Sequence, residues 1–127
     1  MDNVKDIIED YIIELDLPYK VPEENTWLID DFEQNIENII VNINDEIVTL
    51  RITICNLPSD NKEKLFKTLL ELNTNLVYGG YGIVEDKIVL SHSVLLESLT
   101  YDKFSYVYNA FTLSLLNDLK KIKNELL

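Results

Sequence analysis

The stretch from Lys62 to Leu99, KEKLFKTLLELNTNLVYGGYGIVEDKIVLSHSVLLESL, decides the fold of this chain. Its apolar residues recur at spacings of three and four, the period of one buried helix face: Leu65, Phe66, Leu69, Leu70, Leu72 and Leu76. All three glycines of the chain lie within residues 79–82 and end this helix. Two apolar runs then flank the polar turn Glu85–Lys87. The stretch therefore predicts a helix, a glycine break and a hairpin of two strands.

The residues before this stretch begin with an amphipathic helix over residues 2–16. Asp2 or Asn3 can cap it, and its apolar face follows the same period: Val4, Ile7, Ile8, Tyr11, Ile12 and Leu15. Pro18 and Pro22 end this helix, because proline cannot continue one, and they predict a linker over Leu17–Asn25.

Three segments after the linker alternate apolar and polar residues with a period of two, which predicts strands with one buried face. They are Thr26–Phe32, Glu37–Asn44 and Glu46–Cys55. The short polar turns between them predict an antiparallel meander.

A final helix follows the hairpin, with Thr100 as its cap and Glu125 near its end. Its predicted apolar stripe consists of Phe104, Val107, Tyr108, Phe111, Leu115, Leu116, Leu119 and Ile122. The order is helix, three strands, helix, two strands, helix. Strand runs separated by single helices predict an α+β fold in which an antiparallel sheet carries its helices on one face.

The totals of the chain fit one globular domain over residues 1–127. It has 127 residues and 46% hydrophobic content, and no apolar run approaches the ~18 residues of a membrane span. The acidic start MDNVKDIIED lacks the features of a signal peptide, so we expect a cytoplasmic protein. Cys55 is the single cysteine and has no partner for an internal disulfide, so we expect it to be a strand residue.

The negative charge lies in the first half of the chain. Residues 1–63 hold 16 acidic and 4 basic side chains, a net charge of −12, whereas residues 64–127 hold 7 of each. Such a surface repels phosphate groups, so nucleic acid and anionic membranes are disfavoured as partners. A basic protein partner and simple solubility both remain compatible with this charge.

Two motifs that resemble parts of a binding or catalytic site are better interpreted as structural: the glycine segment and the strand around His92. The segment Tyr78–Gly82 lacks the GxGxxG spacing of a phosphate-binding loop, and its glycines suit a chain leaving a helix. His92 is the only histidine, and strand alternation places Ser91 and Ser93 on the opposite face. A Ser-His-Asp triad is therefore not expected. We predict no catalytic residue.

Four carboxylates, Asp30, Asp31, Glu33 and Glu37, lie close together in sequence. Successive strand residues point to opposite faces, so Asp30 and Asp31 cannot easily chelate one ion, and the spacing does not match a calcium loop. We predict a solvated acidic edge, and neither a metal nor a cofactor.

Three apolar residues, Leu28, Ile40 and Ile47, alternate out of phase with the buried set of the meander. If helices cover one face of the sheet, these side chains lie on the other. They then either form an exposed patch that binds a partner, or pack against one another.

The order of elements, together with residues at their junctions, resembles the type III secretion chaperone-like fold, and within it the YbjN and class I secretion chaperone families. The matching residues are Trp27, Leu57-Pro58, Leu69–Asn73, Tyr78–Gly82, Ile88–Leu90 and Leu99-Thr100. They cover nearly the whole chain as a pattern.

The resemblance implies a non-enzymatic, acidic, cytosolic protein that forms a homodimer. It further implies a protein client, held as an extended segment on apolar patches of the first helix and the sheet. The dimer contact in such proteins involves the segments matching Leu65–Leu76 and Val77–Ile83, which gives as candidate contacts Leu69, Leu72, Leu76, Tyr78 and Tyr81. The alternative is a small ligand-binding or regulatory adaptor domain with a pocket near the glycine turn and His92.

Overall fold

The computed structural model describes residues 4–60 and 62–126, so the predicted cap at Asp2 or Asn3 lies outside the described residues. The elements, in chain order, are α1 (Val4–Glu14), β1 (Tyr19–Glu23), β2 (Thr26–Asp31), β3 (Ile36–Asn44), β4 (Ile47–Asn56), α2 (Lys62–Asn73), β5 (Gly80–Val84), β6 (Lys87–Leu95) and α3 (Tyr101–Asn124). A short 3-10 turn, Leu96–Ser98, connects β6 to α3.

All strands pair antiparallel in one sheet of order β1-β2-β3-β4-β6-β5. The predicted α+β class, with an antiparallel sheet and its helices on one face, is confirmed. The order of helix, strands, helix, strands, helix is confirmed as well, although the first run contains four strands instead of three.

The additional strand is β1, and the prediction of a linker over Leu17–Asn25 was wrong. Pro22 lies inside β1, which forms one edge of the sheet. Proline is tolerated in an edge strand because a missing N–H on the unpaired side interrupts no ladder. The pairing with β2 also shifts register between Lys20 and Glu23, the interval that contains Pro22.

The core lies between the inner face of the sheet and the helices. One inner row runs across four strands, with Trp27 opposite Val41, Val41 opposite Leu50 and Leu50 opposite His92. Residues of all three helices share the same buried cluster, including Ile8, Ile12, Leu65, Leu69, Phe104, Phe111 and Leu115. The side chain of Trp27 also donates from Nε1 to Glu9 Oε1 at 3.2 Å, which ties β2 to α1.

Helix α1 ends in a tight reversal at Asp16, which has a φ of 59°. The Asp16 N–H donates to Ile13 O and the Leu17 N–H to Ile12 O, the two hydrogen bonds of a Schellman motif. Aspartate is one of the few residues other than glycine that adopt this conformation readily. The reversal turns the chain from the inner side of the sheet into the edge strand β1.

Helix α2 is joined to the second edge strand, β5, by the side chain of Asn73. Its Oδ1 accepts from Tyr81 N at 2.7 Å, and its Nδ2 donates to Tyr81 O at 3.3 Å. The carboxamide therefore takes the place of a neighbouring strand residue at this edge. Gly79 precedes β5 with a φ of +117°, a backbone conformation that favours glycine, and a Cβ there would make a tight contact of 3.3 Å with Leu90 Cδ1.

Candidate functional site

The outer face of the sheet, opposite the helices, brings together two of the three apolar residues predicted to form a patch. Leu28 of β2 lies directly opposite Ile40 of β3, and both side chains are half-buried. Neither residue belongs to the core cluster that the sheet forms with the helices, and each keeps part of its apolar surface toward solvent. We call Leu28 and Ile40 the outer apolar pair.

The third residue, Ile47, lies two rows away from the outer apolar pair. It is exposed and pairs with Leu95, which is exposed too. The row between them is polar, and its side chains form hydrogen bonds with one another. Asn42 Nδ2 donates to Thr26 Oγ1 at 2.8 Å, and the hydroxyl oxygens of Thr49 and Ser93 lie 2.9 Å apart. Leu28, Ile40 and Ile47 therefore do not form one continuous patch.

Arg51 extends the row of the outer apolar pair, because it lies opposite Ile40 on one side and Ser91 on the other. Its Nε is buried and has no hydrogen-bond partner within the described part of the chain. A buried donor without an acceptor is uncommon in folded proteins, and an acceptor brought by a partner would relieve its cost. Sequence reasoning treated Arg51 only as a polar strand position. The one signal available was that it is a rare base within the acidic first half.

Asp31 contradicts the prediction of a solvated acidic edge, since its side chain is only 5% exposed. Its Oδ2 accepts from the Tyr108 hydroxyl at 2.7 Å and from Gln34 Nε2 at 2.7 Å, and its Oδ1 accepts from Gln34 N at 3.2 Å. All three donors are neutral. Asp30, by contrast, caps the Asn38 N–H at 3.0 Å on the other side of the strand, as alternation predicts.

A concavity of about 400 Å³ opens beside Asp31. Its walls come from the α1–β1 connection, from the end of β2 and the turn after it, and from α3: Leu15, Asp16, Leu17, Pro18, Asp31, Phe32, Glu33, Gln34, Tyr108 and Asn109. Burial raises the pKa of the Tyr108 hydroxyl well above its ordinary value, and the hydrogen bond to Asp31 raises it further. Tyr108 therefore stays a neutral donor to the carboxylate.

His92 lies on the inner face, in the row of Trp27, and its ring contacts Tyr78 edge-on with centroids 5.5 Å apart. Tyr78 contacts Tyr106 of α3 in the same way at 5.6 Å. Burial lowers the pKa of His92. Four concavities in the described part of the chain are lined by residues other than His92.

The five residues predicted to form a dimer contact divide into two groups. Leu69, Leu72 and Tyr81 are buried in the core of the chain itself, and the Tyr81 hydroxyl donates to Asp118 Oδ2 at 2.8 Å. Their burial argues against a direct contact with a second copy. Leu76 and Tyr78 are half-buried and keep some surface. In the same two segments the structure exposes Leu70 and Val77, at 67% and 81%.

Two further properties concern all described residues. Among them, no group of histidine, cysteine, aspartate and glutamate is arranged to hold a metal ion. No helix in residues 4–60 and 62–126 has both the length and the apolar character needed to cross a membrane.

The strand order and the helices on one face define the type III secretion chaperone-like fold. The chain belongs to the CesT_Tir_1 family, whose model matches residues 1–124. The predicted resemblance is thereby confirmed. Comparison with curated proteins gives no match.

Solved structures share the fold at low sequence identity. YbjN from E. coli is 11% identical with a TM-score of 0.70, and the match covers 92% of each chain. The type III secretion chaperone SycH from Yersinia pestis, in complex with a stable fragment of YscM2, is 13% identical with a TM-score of 0.63, covering 91% of this chain and 98% of that one. A chain of the heterodimeric ExoU-SpcU complex from Pseudomonas aeruginosa is 9% identical with a TM-score of 0.61, covering 93% and 96%.

Proposed function

We propose that this chain is a non-enzymatic, cytoplasmic protein-binding module that holds an extended segment of a client polypeptide against the outer face of its sheet. The observation that carries the proposal is the half-exposed outer apolar pair beside Arg51, whose buried Nε has no acceptor among the residues that the structure describes. Membership in a family of secretion chaperones supports it. So does the SycH structure, in which a chaperone of this fold is in complex with a fragment of another protein.

An extended client fits this surface better than a folded one. Leu28 and Ile40 lie side by side on neighbouring strands. In an extended client segment every second side chain points to the same face, so two such side chains can contact Leu28 and Ile40 together. Carbonyl oxygens of such a segment are acceptors that can satisfy the Arg51 guanidinium. Helix α1 lies on the inner side of the sheet, so a client that also touches α1 passes over the edge strand β1.

The charge of the chain selects among clients. The first half carries the whole net charge of −12, and this half includes α1 and the strands that hold the outer apolar pair. Opposite charge favours encounter and suppresses partners of like charge. The client segment is therefore apolar at alternate positions and basic at its flanks.

Substitution of the outer apolar pair tests this function. In affinity capture from the source cell, L28D and I40D should each lose at least about tenfold of the client retained by the wild type. The reason is that burying an aliphatic side chain contributes about 1.5–3 kcal/mol, which a charge removes. The matched control is L113D, which makes the same leucine-to-aspartate substitution on α3, where Leu113 is 56% exposed. Clients retained equally by wild type, L28D and I40D would overturn the proposal.

The family further suggests a homodimer, and we place its contact on the exposed apolar residues Leu70 and Val77. Leu76 and Tyr78, which keep part of their surface, extend this contact. Leu70 lies on α2 and Val77 follows it in the connection to β5, so both belong to the two segments that the resemblance indicates. Their exposure in the isolated chain leaves two large aliphatic groups in water, which a second copy would cover.

Sedimentation equilibrium tests the dimer. The wild type should sediment as a dimer, and the double substitution L70D/V77D should shift it to a monomer without loss of helix signal, because both side chains lie at the surface. The L113D variant should stay dimeric. A wild type that remains monomeric over the accessible concentration range would contradict this part of the proposal.

A further inference from the structure

The concavity beside Asp31 has an unusual combination of walls. Leu15, Leu17, Pro18 and Phe32 supply apolar surface, while Asp16, Asp31 and Glu33 supply carboxylates, and no basic residue lines it. Its volume of about 400 Å³ lies at the lower end of the ~300–1,000 Å³ range typical of small-molecule pockets.

The electrostatics of this concavity favour a cation. The hydrogen bonds that Asp31 accepts come from a hydroxyl, a carboxamide and a backbone N–H, so its negative charge is not neutralised by them. A carboxylate has about four acceptor positions, and among the described residues Oδ1 accepts from Gln34 N alone, so it retains acceptor capacity. Leu15 and Asp16, which directly follow the C-terminal end of α1, form part of the rim, and that end of a helix carries partial negative charge.

We propose that this concavity receives an arginine side chain of the bound client segment. The aliphatic stem packs against Leu15, Leu17 and Pro18, and the planar guanidinium reaches between Asp31 and Glu33. Phe32, which is exposed, offers an aromatic face on which a guanidinium stacks. Arginine suits the site better than lysine because its fork of N–H donors serves two carboxylates at once.

The position of the concavity agrees with the path of an extended client, so this inference rests on the proposed function. The concavity is built from the α1–β1 connection and the end of β2, at the same edge of the sheet that a client crosses to reach α1 from the outer apolar pair. The Asp30 N–H donates to Pro18 O at 3.1 Å, which fixes this wall of the concavity against β2.

The test uses a single capped residue, so it does not depend on any client. In ¹H–¹⁵N spectra of the full chain, N-acetyl-arginine methylamide should shift the amides of Phe32, Glu33 and Gln34 saturably, with a dissociation constant on the order of millimolar. The neutral isostere N-acetyl-citrulline methylamide should leave them unchanged. Equal shifts with both compounds, or shifts that never saturate, would overturn the inference.

Matched charge variants separate a defined site from general attraction to an acidic surface. The double substitution D16N/E33Q, at two exposed residues of the rim, should weaken arginine binding about tenfold. D45N/E46Q removes the same charge at the exposed β3–β4 turn and should have little effect. Equal weakening by both variants would overturn the inference. The L28D variant should lose its client yet bind capped arginine normally, so failure of the arginine site and failure of the proposed function give different results.

Discussion

Replacement of Trp27 by alanine is expected to lower the free energy of unfolding by about 3–5 kcal/mol, the range for removing a large buried aromatic side chain. Trp27 is the largest fully buried side chain, with 1% exposure. It lies at the start of β2 in the inner row with Val41 and Leu50. Its Nε1 donates a hydrogen bond to Glu9 of α1. Its loss removes both a packing centre and the link between α1 and the sheet. Urea denaturation followed by circular dichroism measures the change.

Two further variants serve as controls for the Trp27→Ala measurement. Trp27→Phe keeps an aromatic ring but loses the bond to Glu9, so its cost should be clearly smaller than that of alanine. Leu113→Ala trims an exposed side chain on α3 and should stay within about 0.5 kcal/mol of the wild type. A Trp27→Ala variant about as stable as Leu113→Ala would show that the described packing is not what holds the fold together.

Residue periodicity predicted most of the fold because each element has one buried face. The three segments Thr26–Phe32, Glu37–Asn44 and Glu46–Cys55 follow a period of two, and the helical segments repeat at three and four, so fold class and element order followed directly. The edge strand β1 was missed because Pro22 normally marks the end of regular structure. Whether a proline lies in an edge strand depends on which strands are neighbours, and a single sequence does not contain that information.

The candidate site was predicted less completely, because it depends on register and on distant contacts. Out-of-phase alternation correctly placed Leu28, Ile40 and Ile47 on one face, but only the strand register shows that Ile47 lies two rows from Ile40. Asp31 looked solvated beside Asp30 and Glu33. Its burial depends on the hydroxyl of Tyr108, 77 residues away along the chain. Likewise, the leucine-rich face of α2 contained both Leu69 and Leu70, and only packing decides that Leu69 is buried and Leu70 exposed.

The stability of the protein should fall steeply above about pH 10 because of two buried tyrosines. Burial raises the pKa of Tyr81 and of Tyr108 above the ordinary value of 10.0, and hydrogen bonds to Asp118 and Asp31 raise them further. Above pH 10 the unfolded chain releases these protons while the folded chain retains them. The stabilisation is therefore complete below the unfolded pKa and is lost as pH rises toward the folded one. Each tyrosine should contribute a slope of about 1.4 kcal/mol per pH unit.

Single substitutions of Tyr81 and Tyr108 show how much each contributes to the fall of the free energy of unfolding with pH. Urea unfolding from about pH 9 to about pH 12 should show a shallower alkaline decline in Y81F and in Y108F, and a still shallower one in the double variant. The comparison uses slopes, so the loss of either hydroxyl's hydrogen bond at neutral pH does not affect it. Y106F removes the hydroxyl of an exposed tyrosine and should decline as steeply as the wild type. If Y81F and Y108F also follow the wild-type slope, the hydroxyls of Tyr81 and Tyr108 are not enclosed as the structure describes. The Tyr108 hydroxyl would then not be the neutral donor to Asp31 on which the arginine site depends.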